Sequence, residues 1–222
     1  VLNDGEIIAK NLLQDLAWAW IPYVMPGLKL AKAVQSVLIK KPDVLILANH
    51  GLVVGGETAK EAIDLLKLVE ERMARDIRKV KIIQHEKLSS IINNSLYRMP
   101  KYELSHTIAH DEFSLEVVKR GTLYPDHVVF LGPGPMSGLT LDEVKNVYDK
   151  SSYVDNNPVI IVDGLGVFVS DNFSENAESM LYCLAGILLR LRPREKLNYL
   201  TKQDEMHLMG WDAEKYRQSI QR

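Results

Sequence analysis

A short segment of the chain combines two strand patterns, a sharp turn and a helix start. Residues 44–47 (Val-Leu-Ile-Leu) are apolar and β-rich, residues 48–51 (Ala-Asn-His-Gly) interrupt them, and residues 52–54 (Leu-Val-Val) resume the pattern. Apolar runs of this length flanked by turn residues predict strands. After two glycines, Thr58 and Glu61 match the capping box that opens a helix. The segment therefore predicts strand, turn, strand and capped helix.

The same pattern returns later in the chain. Gly51 and Gly166 lie 115 positions apart, and at that spacing residues 44–70 overlay residues 159–185 without a gap. Such units are common, so the repeat is weak evidence of duplication by itself. The difference between the copies is more informative, because His50 falls on Leu165. The two copies share a framework, but an imidazole stands at the turn of the first copy alone.

Composition excludes several classes of protein. The 222 residues carry a net charge of −2 and are 46% hydrophobic, which is typical of a globular protein and gives no global attraction to nucleic acid or membranes. The apolar runs are too short to cross a bilayer. The single cysteine, Cys183, cannot form an internal disulfide and indicates a reducing, cytoplasmic location. We expect Cys183 in the core.

The remaining periodicity predicts an α/β chain. Helical spacing over residues 6–20 and 28–39 precedes the first strand, and the helix opened by Thr58 extends to about residue 84. Beyond it we expect a helix over 114–120, a strand over 128–131, and a helix from 140 to about 150, opened by a second capping box. The overlay then predicts strands and a capped helix in the second copy.

The polar stretch 85–110 marks a domain boundary, because turn residues cluster there and we expect a partly mobile connection. The chain then divides into a domain over 1–84, a connection over 85–110, and a smaller repeat-like unit over 111–222 with a C-terminal tail. Residues 211–216 of that tail carry two aromatic residues that dock either on another subunit or on their own domain. The polar opening after Val1 suggests that an N-terminal part is absent.

His50 is the residue best placed for chemistry. An imidazole beside glycine at the end of a buried strand is held by rigid backbone and can face a cleft, which suits a metal ligand. Asn49 could orient the turn, and Gly51 permits close approach of a ligand. A hydrogen-bonded turn histidine is the alternative. A zinc site needs further ligands, and the chain has no His-x-His pair.

Other candidate sites are weaker. His106 and His110 have helical metal-ligand spacing, but the polar segment favours a solvated surface. His127 could contact substrate or support another ligand, or it could form a hydrogen bond with Asp126 at the start of a strand. The turn 132–135 could bind an anion through its amides, although two prolines lack the donor and favour a plain turn.

These motifs are similar to those of a known family. Residues 42–58 (Pro-Asp-Val-Leu-Ile-Leu-Ala-Asn-His-Gly-Leu-Val-Val-Gly-Gly-Glu-Thr) resemble the class II aldolase/adducin family, and residues 20–31 resemble the approach to that block. Residues 121–127 and 159–166 resemble its longer branch, which includes the aldolase part of bifunctional rhamnulose-phosphate aldolase/dehydrogenases. The resemblance extends from about residue 20 to about residue 191.

The resemblance implies a three-layer α/β/α fold with a mixed, largely antiparallel sheet, and a lyase that cleaves a phosphorylated ketose. In that family three histidines hold a divalent metal, most often zinc, which stabilises the enediolate. His50 matches the third histidine, and the His-x-His pair and catalytic acid would lie upstream. The resemblance thus implies that this chain is the C-terminal part of an aldolase and that this part is inactive alone.

Two functions remain open. The first is the metal-dependent lyase, with a small phosphorylated sugar as substrate. The second is a non-catalytic binding or assembly module, as in the adducin branch of the family. We expect a homo-oligomer and no nucleic-acid or membrane partner in either case.

Overall fold

The chain folds into two compact units. The computed structural model describes residues 1–82, 96–136, 138–145, 153 and 157–211. The first unit comprises Val1–Asp76 with Arg194–Asn198, and the second comprises Ile77–Pro193 with Tyr199–Arg222. The domain limits expected at residues 84 and 110 remain a prediction, and the stretch 83–95 lies outside the described residues.

The first unit is a three-stranded mixed sheet with helices. The strand order is β1-β2-β3, where β1 runs parallel and β3 antiparallel to β2. Leu13, Val44 and Val69 form the buried core between helix and sheet. In chain order the elements are α1 (Gly5–Leu12), β1 (Trp18–Ile21), α2 (Leu28–Val37) with a 3-10 turn (Leu38–Lys40), β2 (Val44–Leu47), β3 (Gly51–Val54) and α3 (Ala59–Met73).

Two helices of the first unit are shorter than the sequence predicts. The helix expected over residues 6–20 ends at Leu12, and Trp18–Ile21 forms β1 instead. Aromatic and β-branched residues favour strands, and pairing with β2 satisfies their backbone groups. The helix expected to reach residue 84 ends at Met73, because Ala74 adopts an extended conformation with ψ of 139°.

The second unit contains a four-stranded mixed sheet of order β4-β7-β6-β5. Strands β6 and β7 are buried along their whole length, and Tyr97, Val144, Ile160, Val162 and Phe168 form a core cluster around them. The elements are β4 (Tyr97–Arg98), a 3-10 turn (Glu103–His106), α4 (Thr107–His110), α5 (Glu112–Arg120), α6 (Pro125–Leu131), β5 (Gly138–Leu139), α7 (Leu141–Lys145), β6 (Val159–Val162), β7 (Gly166–Ser170), α8 (Glu175–Arg190) and α9 (Lys202–Gly210).

The repeat at a spacing of 115 residues extends to individual hydrogen bonds. The β2–β3 and β6–β7 hairpins have the same register and connection length, and each pairs with a parallel strand, β1 or β5. The Ala48 amide donates to the Ile21 carbonyl (2.9 Å), and at the equivalent position the Asp163 amide donates to the Leu139 carbonyl (3.2 Å). The two units therefore repeat one strand, hairpin and helix arrangement.

The strand expected over residues 128–131 is wrong, because these residues belong to helix α6. Pro125 occupies the start of this helix, where its missing amide costs no hydrogen bond and its fixed φ favours helix. Leu131 and Val128 face the interior of the unit. Proline at the helix start and tertiary packing outweigh the strand preference of the two valines.

Cys183 is exposed, which corrects its expected place in the core. Helix α8 buries Leu181, Leu184 and Leu188, which recur at helical spacing on one face. Cys183 lies on a different face of the helix from these leucines and is therefore not part of the buried apolar stripe. Neighbouring protein atoms nevertheless exclude part of the water around the thiol, and this desolvation raises its pKa. The nearby Tyr124 hydroxyl acts in the opposite direction.

The mixed sheets expected from the resemblance are confirmed, since both units combine parallel and antiparallel pairs. The combination of helices with mixed sheets is consistent with the α/β fold that the resemblance implies. Among the described residues, no helix has the length and apolar character needed to cross a bilayer.

Candidate functional site

The turn between β2 and β3 is held by its backbone and by a buried amide. Asn49 adopts a left-handed conformation with φ of 58°, a region in which asparagine is better tolerated than most residues. Its buried side chain donates from Nδ2 to the Asn198 carbonyl at 2.8 Å, and the His50 amide donates to the Leu47 carbonyl at 3.0 Å. The role of Asn49 in orienting the turn stays a prediction.

The His50 ring is fixed on two sides by residues that follow β1. Its Nε2 lies 2.8 Å from the Val24 carbonyl oxygen. A carbonyl accepts only from an N–H group, so Nε2 carries the proton and the neutral ring has its lone pair on Nδ1. The ring also stacks on Tyr23, with centroids 5.2 Å apart and planes inclined by 16°. These contacts define both the orientation and the tautomer of the imidazole.

The Nδ1 side of His50 is available for an incoming ligand. Within the part of the chain that the structure describes, Nδ1 makes no hydrogen bond and is not a buried polar atom. Gly51, with φ of 149°, has open space where a side chain would start. An N–H held by a carbonyl on one side and a free lone pair on the other is the usual arrangement of a metal-ligating histidine. His50 is thus prepared to donate one lone pair.

The described residues do not complete a metal centre around His50. A catalytic zinc site requires about three protein ligands. No group of three histidine, cysteine, aspartate or glutamate side chains in the described ranges is placed to hold a metal ion. His50 therefore fits the role of a single ligand, whereas the described part of the chain does not fit the full ligand set.

His127 lies in the second unit, on α6, with no exposed surface. Its Nδ1 accepts a hydrogen bond from the Leu123 amide at 3.3 Å, so the predicted partner Asp126 is replaced by a backbone group. Nε2 carries the proton and is buried without a partner among the described residues. Burial lowers the pKa of His127 to about 3. The ring is neutral at physiological pH, and a substrate contact by His127 remains a prediction.

His106 is buried, which corrects the expectation of a solvated surface. It is 6% exposed, and its Nδ1 accepts from the Val167 amide at 3.1 Å. Burial and then the neighbouring His110 lower the pKa of His106. The prediction was wrong because it considered the polar composition of the whole segment. The apolar residues Ile108 and Ala109 of the same segment are buried, and the short helix α4 therefore packs in the interior of the unit.

One backbone amide of the turn 132–135 already has an internal acceptor, so this amide is not available to an external anion. The Gly134 amide donates to a carboxylate oxygen of Glu205 at 3.0 Å, and the same oxygen accepts from the Thr122 hydroxyl at 2.6 Å. Glu205 is buried on α9. An internal carboxylate therefore binds this turn, in agreement with the prediction of a structural turn.

Three groups at the His50 turn were not predicted from sequence. Tyr23 and Val24 follow β1, and they would have been found had residues 18–21 been recognised as a strand parallel to β2. Parallel neighbours end at the same edge of a sheet, which brings the residues after each strand together. Asn198 lies 149 residues from Asn49, and no local pattern indicates that contact.

Comparison with known proteins finds a family match within the first unit. Residues 6–75 match the sequence model of the Class II Aldolase and Adducin N-terminal domain. Over 87 residues the chain is 29% identical to the Bacillus subtilis (strain 168) protein described as uncharacterized oxidoreductase YuxG. That alignment covers 38% of this chain and 12% of the relative, so the matched segment spans a small part of the relative's length. No solved structure matches the chain significantly.

Proposed function

We propose that the first unit contributes His50 as one ligand to the divalent metal of a class II aldolase-like lyase that cleaves a phosphorylated ketose. The observation that carries this proposal is the fixed His50 ring, with Nε2–H directed at the Val24 carbonyl and the Nδ1 lone pair accessible. The domain match over residues 6–75, which includes this turn, supports the proposal. Zinc is one of the metals that imidazole ligands bind well, and it is the metal that we propose here.

The roles of the neighbouring residues follow from the same geometry. Asn49 holds the left-handed turn, Tyr23 and Val24 orient the ring, and the missing side chain at Gly51 leaves room for a substrate or a second ligand-bearing segment. The remaining ligands and the catalytic acid come from residues outside the described set. A three-layer α/β/α arrangement, a cytoplasmic location and homo-oligomer formation belong to the same proposal.

A metal titration of the protein expressed from its complete reading frame tests this role. We expect about one Co²⁺ per chain with visible absorption, and His50→Ala should weaken binding by more than about tenfold because a ligand is lost. His207→Ala is the matched control, since His207 is exposed on α9 in the other unit. Loss of ketose-phosphate cleavage should accompany loss of the metal. Unchanged Co²⁺ affinity in His50→Ala would refute the assignment.

A binding or assembly module is the second candidate. It is favoured by the absence of a three-ligand group within the described ranges. In that case the His50 contacts to Tyr23 and Val24 serve the stability of the turn. The complete protein would then bind no metal stoichiometrically, and His50→Ala would change stability without changing any metal affinity.

A further inference from the structure

Four apolar side chains of the first unit are exposed, although the equivalent side chains of the second unit are buried. Two lie on strand β3 and two on helix α3, and between 37% and 51% of each is exposed. They are Leu52, Val53, Ile63 and Leu66. The residues at the spacing of 115 are each 2% exposed or less, and they are Val167, Phe168, Glu178 and Leu181. The repeat thus identifies one face that is covered in the second unit and exposed in the first.

The outer edge of β3 has no partner strand in the part of the chain that the structure describes. The Gly55 amide donates to the Asp43 carbonyl at 2.8 Å, so alternate residues of β3 bond to β2. The amides and carbonyls of Leu52 and Val54 therefore point away from β2, toward the outer edge. An unpaired strand edge is a template for pairing with another strand.

The equivalent edge of β7 is covered. The Val167 amide, which corresponds to the Leu52 amide, donates to His106 Nδ1 at 3.1 Å. Val169, which corresponds to Val54, pairs with a residue of the antiparallel strand β4. The 3-10 turn that follows β4 contacts helix α8, the equivalent of α3. The cover in the second unit thus has two parts, an antiparallel strand on the sheet edge and a helical segment on the neighbouring helix.

The exposed side of α3 is adjacent to the open edge of β3. Arg72 of α3 pairs with Asp15, which precedes β1 at the opposite edge of the sheet. At 3.6 residues per turn, Ile63 lies about two and a half turns before Arg72 and so on the opposite side of the helix. Ile63 therefore faces the β3 side, and Leu66 lies next to it at a spacing of three residues.

A second copy of this chain offers both parts of such a cover. Antiparallel pairing of two β3 strands around Val53 places each Leu52 opposite the Val54 of the other strand, and each of these pairs exchanges two backbone hydrogen bonds. The two Val53 side chains then meet on one face of the sheet. Residues 50–56 contain no lysine, arginine, aspartate or glutamate, although charged side chains commonly protect edge strands from such pairing.

We propose that two copies of this chain associate through β3, which then joins two sheets into one of six strands, and through α3, which packs on the α3 of the other copy by Ile63 and Leu66. Homo-oligomer formation belongs to the proposed function. This inference rests on that part, names the surface that forms the oligomer, and does not depend on a metal at His50. Because β3 is short, the interface lies at the small end of specific interfaces and the dimer is reversible.

Sedimentation equilibrium of the 222-residue chain without metal tests this surface. We expect a monomer–dimer equilibrium with a Kd of about 100 μM or below. Val53→Lys places like charges opposite each other and should raise the Kd by at least about tenfold, and Leu66→Lys should also raise it. Ile39→Lys is the matched control, because Ile39 is exposed in the same unit but lies outside β3 and α3. Circular dichroism shows whether each variant is folded.

Disulfide cross-linking tests the register, and it decides the outcome if a lysine variant does not fold. Each variant carries Cys183→Ser, because the native thiol is exposed. With oxidised glutathione, Val53→Cys should form a covalent dimer, since directly opposite residues whose backbones are not hydrogen-bonded bring their side chains close enough for a disulfide. Ile39→Cys should remain monomeric under the same conditions.

The outcomes separate this surface from the proposed function. A wild-type chain that stays monomeric up to about 500 μM would overturn both this inference and the proposed homo-oligomer. An oligomer with equal Kd in Val53→Lys and Ile39→Lys, or without a cross-link in Val53→Cys, would overturn the β3 surface alone. The metal role of His50 is measured independently by the Co²⁺ titration.

Discussion

His127 shows how burial changes the chemistry of a single side chain. Its ring has no exposed surface, one nitrogen accepts from the Leu123 amide, and burial lowers its pKa to about 3. An unfolded histidine titrates near pH 6.5. Above that pH the ring is neutral in both states and costs no stability. As the pH falls from about 6.5 toward 3, only the unfolded chain gains the proton, so stability is lost over this interval.

We predict that His127→Asn reduces the acid sensitivity of the protein. Between pH 7.5 and 5.5 the wild-type free energy of unfolding should fall by about 1.4 kcal/mol through His127, and the asparagine should abolish this part. Urea denaturation at the two pH values measures the difference. His207→Asn, at an exposed site on α9, is the control and should retain the wild-type dependence. Equal pH dependence of the His127 variant and wild type would contradict the assigned burial effect.

At the turn between β2 and β3, the sequence indicates the candidate residue His50 but does not indicate the groups that contact it. The sequence indicates His50 because a histidine beside glycine, directly after an apolar strand pattern, stands at a predicted turn. It cannot identify Val24 or Asn198, because ordinary backbone carbonyls carry no sequence signature. The tautomer of His50 is therefore a property of the fold.

The elements begin where local signals are strongest. Helix α3 has both halves of its capping box, with the Thr58 side chain accepting from the Glu61 amide and the Glu61 carboxylate accepting from the Thr58 amide. The second predicted box, at Thr140 and Glu143, has the same contacts. Such signals are local and do not depend on tertiary packing.

We predict that Thr58→Ala destabilises the first unit by about 1 kcal/mol, because an amide at the start of α3 loses its acceptor. Thr58→Ser keeps the hydroxyl, and serine is at least as good an N-cap residue, so stability should stay within a few tenths of a kcal/mol of wild type. Urea denaturation followed by tryptophan fluorescence measures the change, since Trp18 and Trp20 lie in this unit. Equal stability of the alanine and serine variants would show that the hydroxyl is not needed.

Elements whose type depends on neighbours were predicted less well. Residues 18–21 have helical apolar spacing, yet they form β1 because β2 offers a complete set of backbone partners. Residues 128–131 have strand-forming valines, yet they form a helix that packs on α8 and α9. In both cases tertiary contacts override a weak local preference.

At the scale of the whole chain, distant segments complete the first unit. Arg194–Asn198 belongs to that unit although it follows helix α8 of the second unit in the chain. The Asn3 amide donates to the Lys196 carbonyl at 2.9 Å, the Asn198 amide donates to the Val1 carbonyl at 2.8 Å, and Arg75 forms an ion pair with Glu195. The N-terminal sequence match therefore does not contain all residues of its structural unit.

We predict a favourable coupling of about 1 kcal/mol between Arg75 and Glu195, since both guanidinium nitrogens donate to the carboxylate and both side chains are partly buried. A double-mutant cycle with Arg75→Gln and Glu195→Gln measures it from unfolding free energies. The exposed Lys60–Asp64 pair on α3 is the control and should couple by only about 0.3–0.5 kcal/mol. Coupling of zero at Arg75 and Glu195 would mean that this contact does not stabilise the unit.

The sequence by itself determined the β2–β3–α3 segment, its repeat 115 residues later and the identity of His50, because strand runs, turns and capping boxes are encoded over a few adjacent residues. Tertiary structure alone decided that residues 18–21 pair with β2, that Cys183 is exposed and His106 buried, and that Asn198 holds the His50 turn. These features depend on which distant backbone groups and apolar surfaces meet. Such contacts are selected by the free energy of the whole fold, not by local preference.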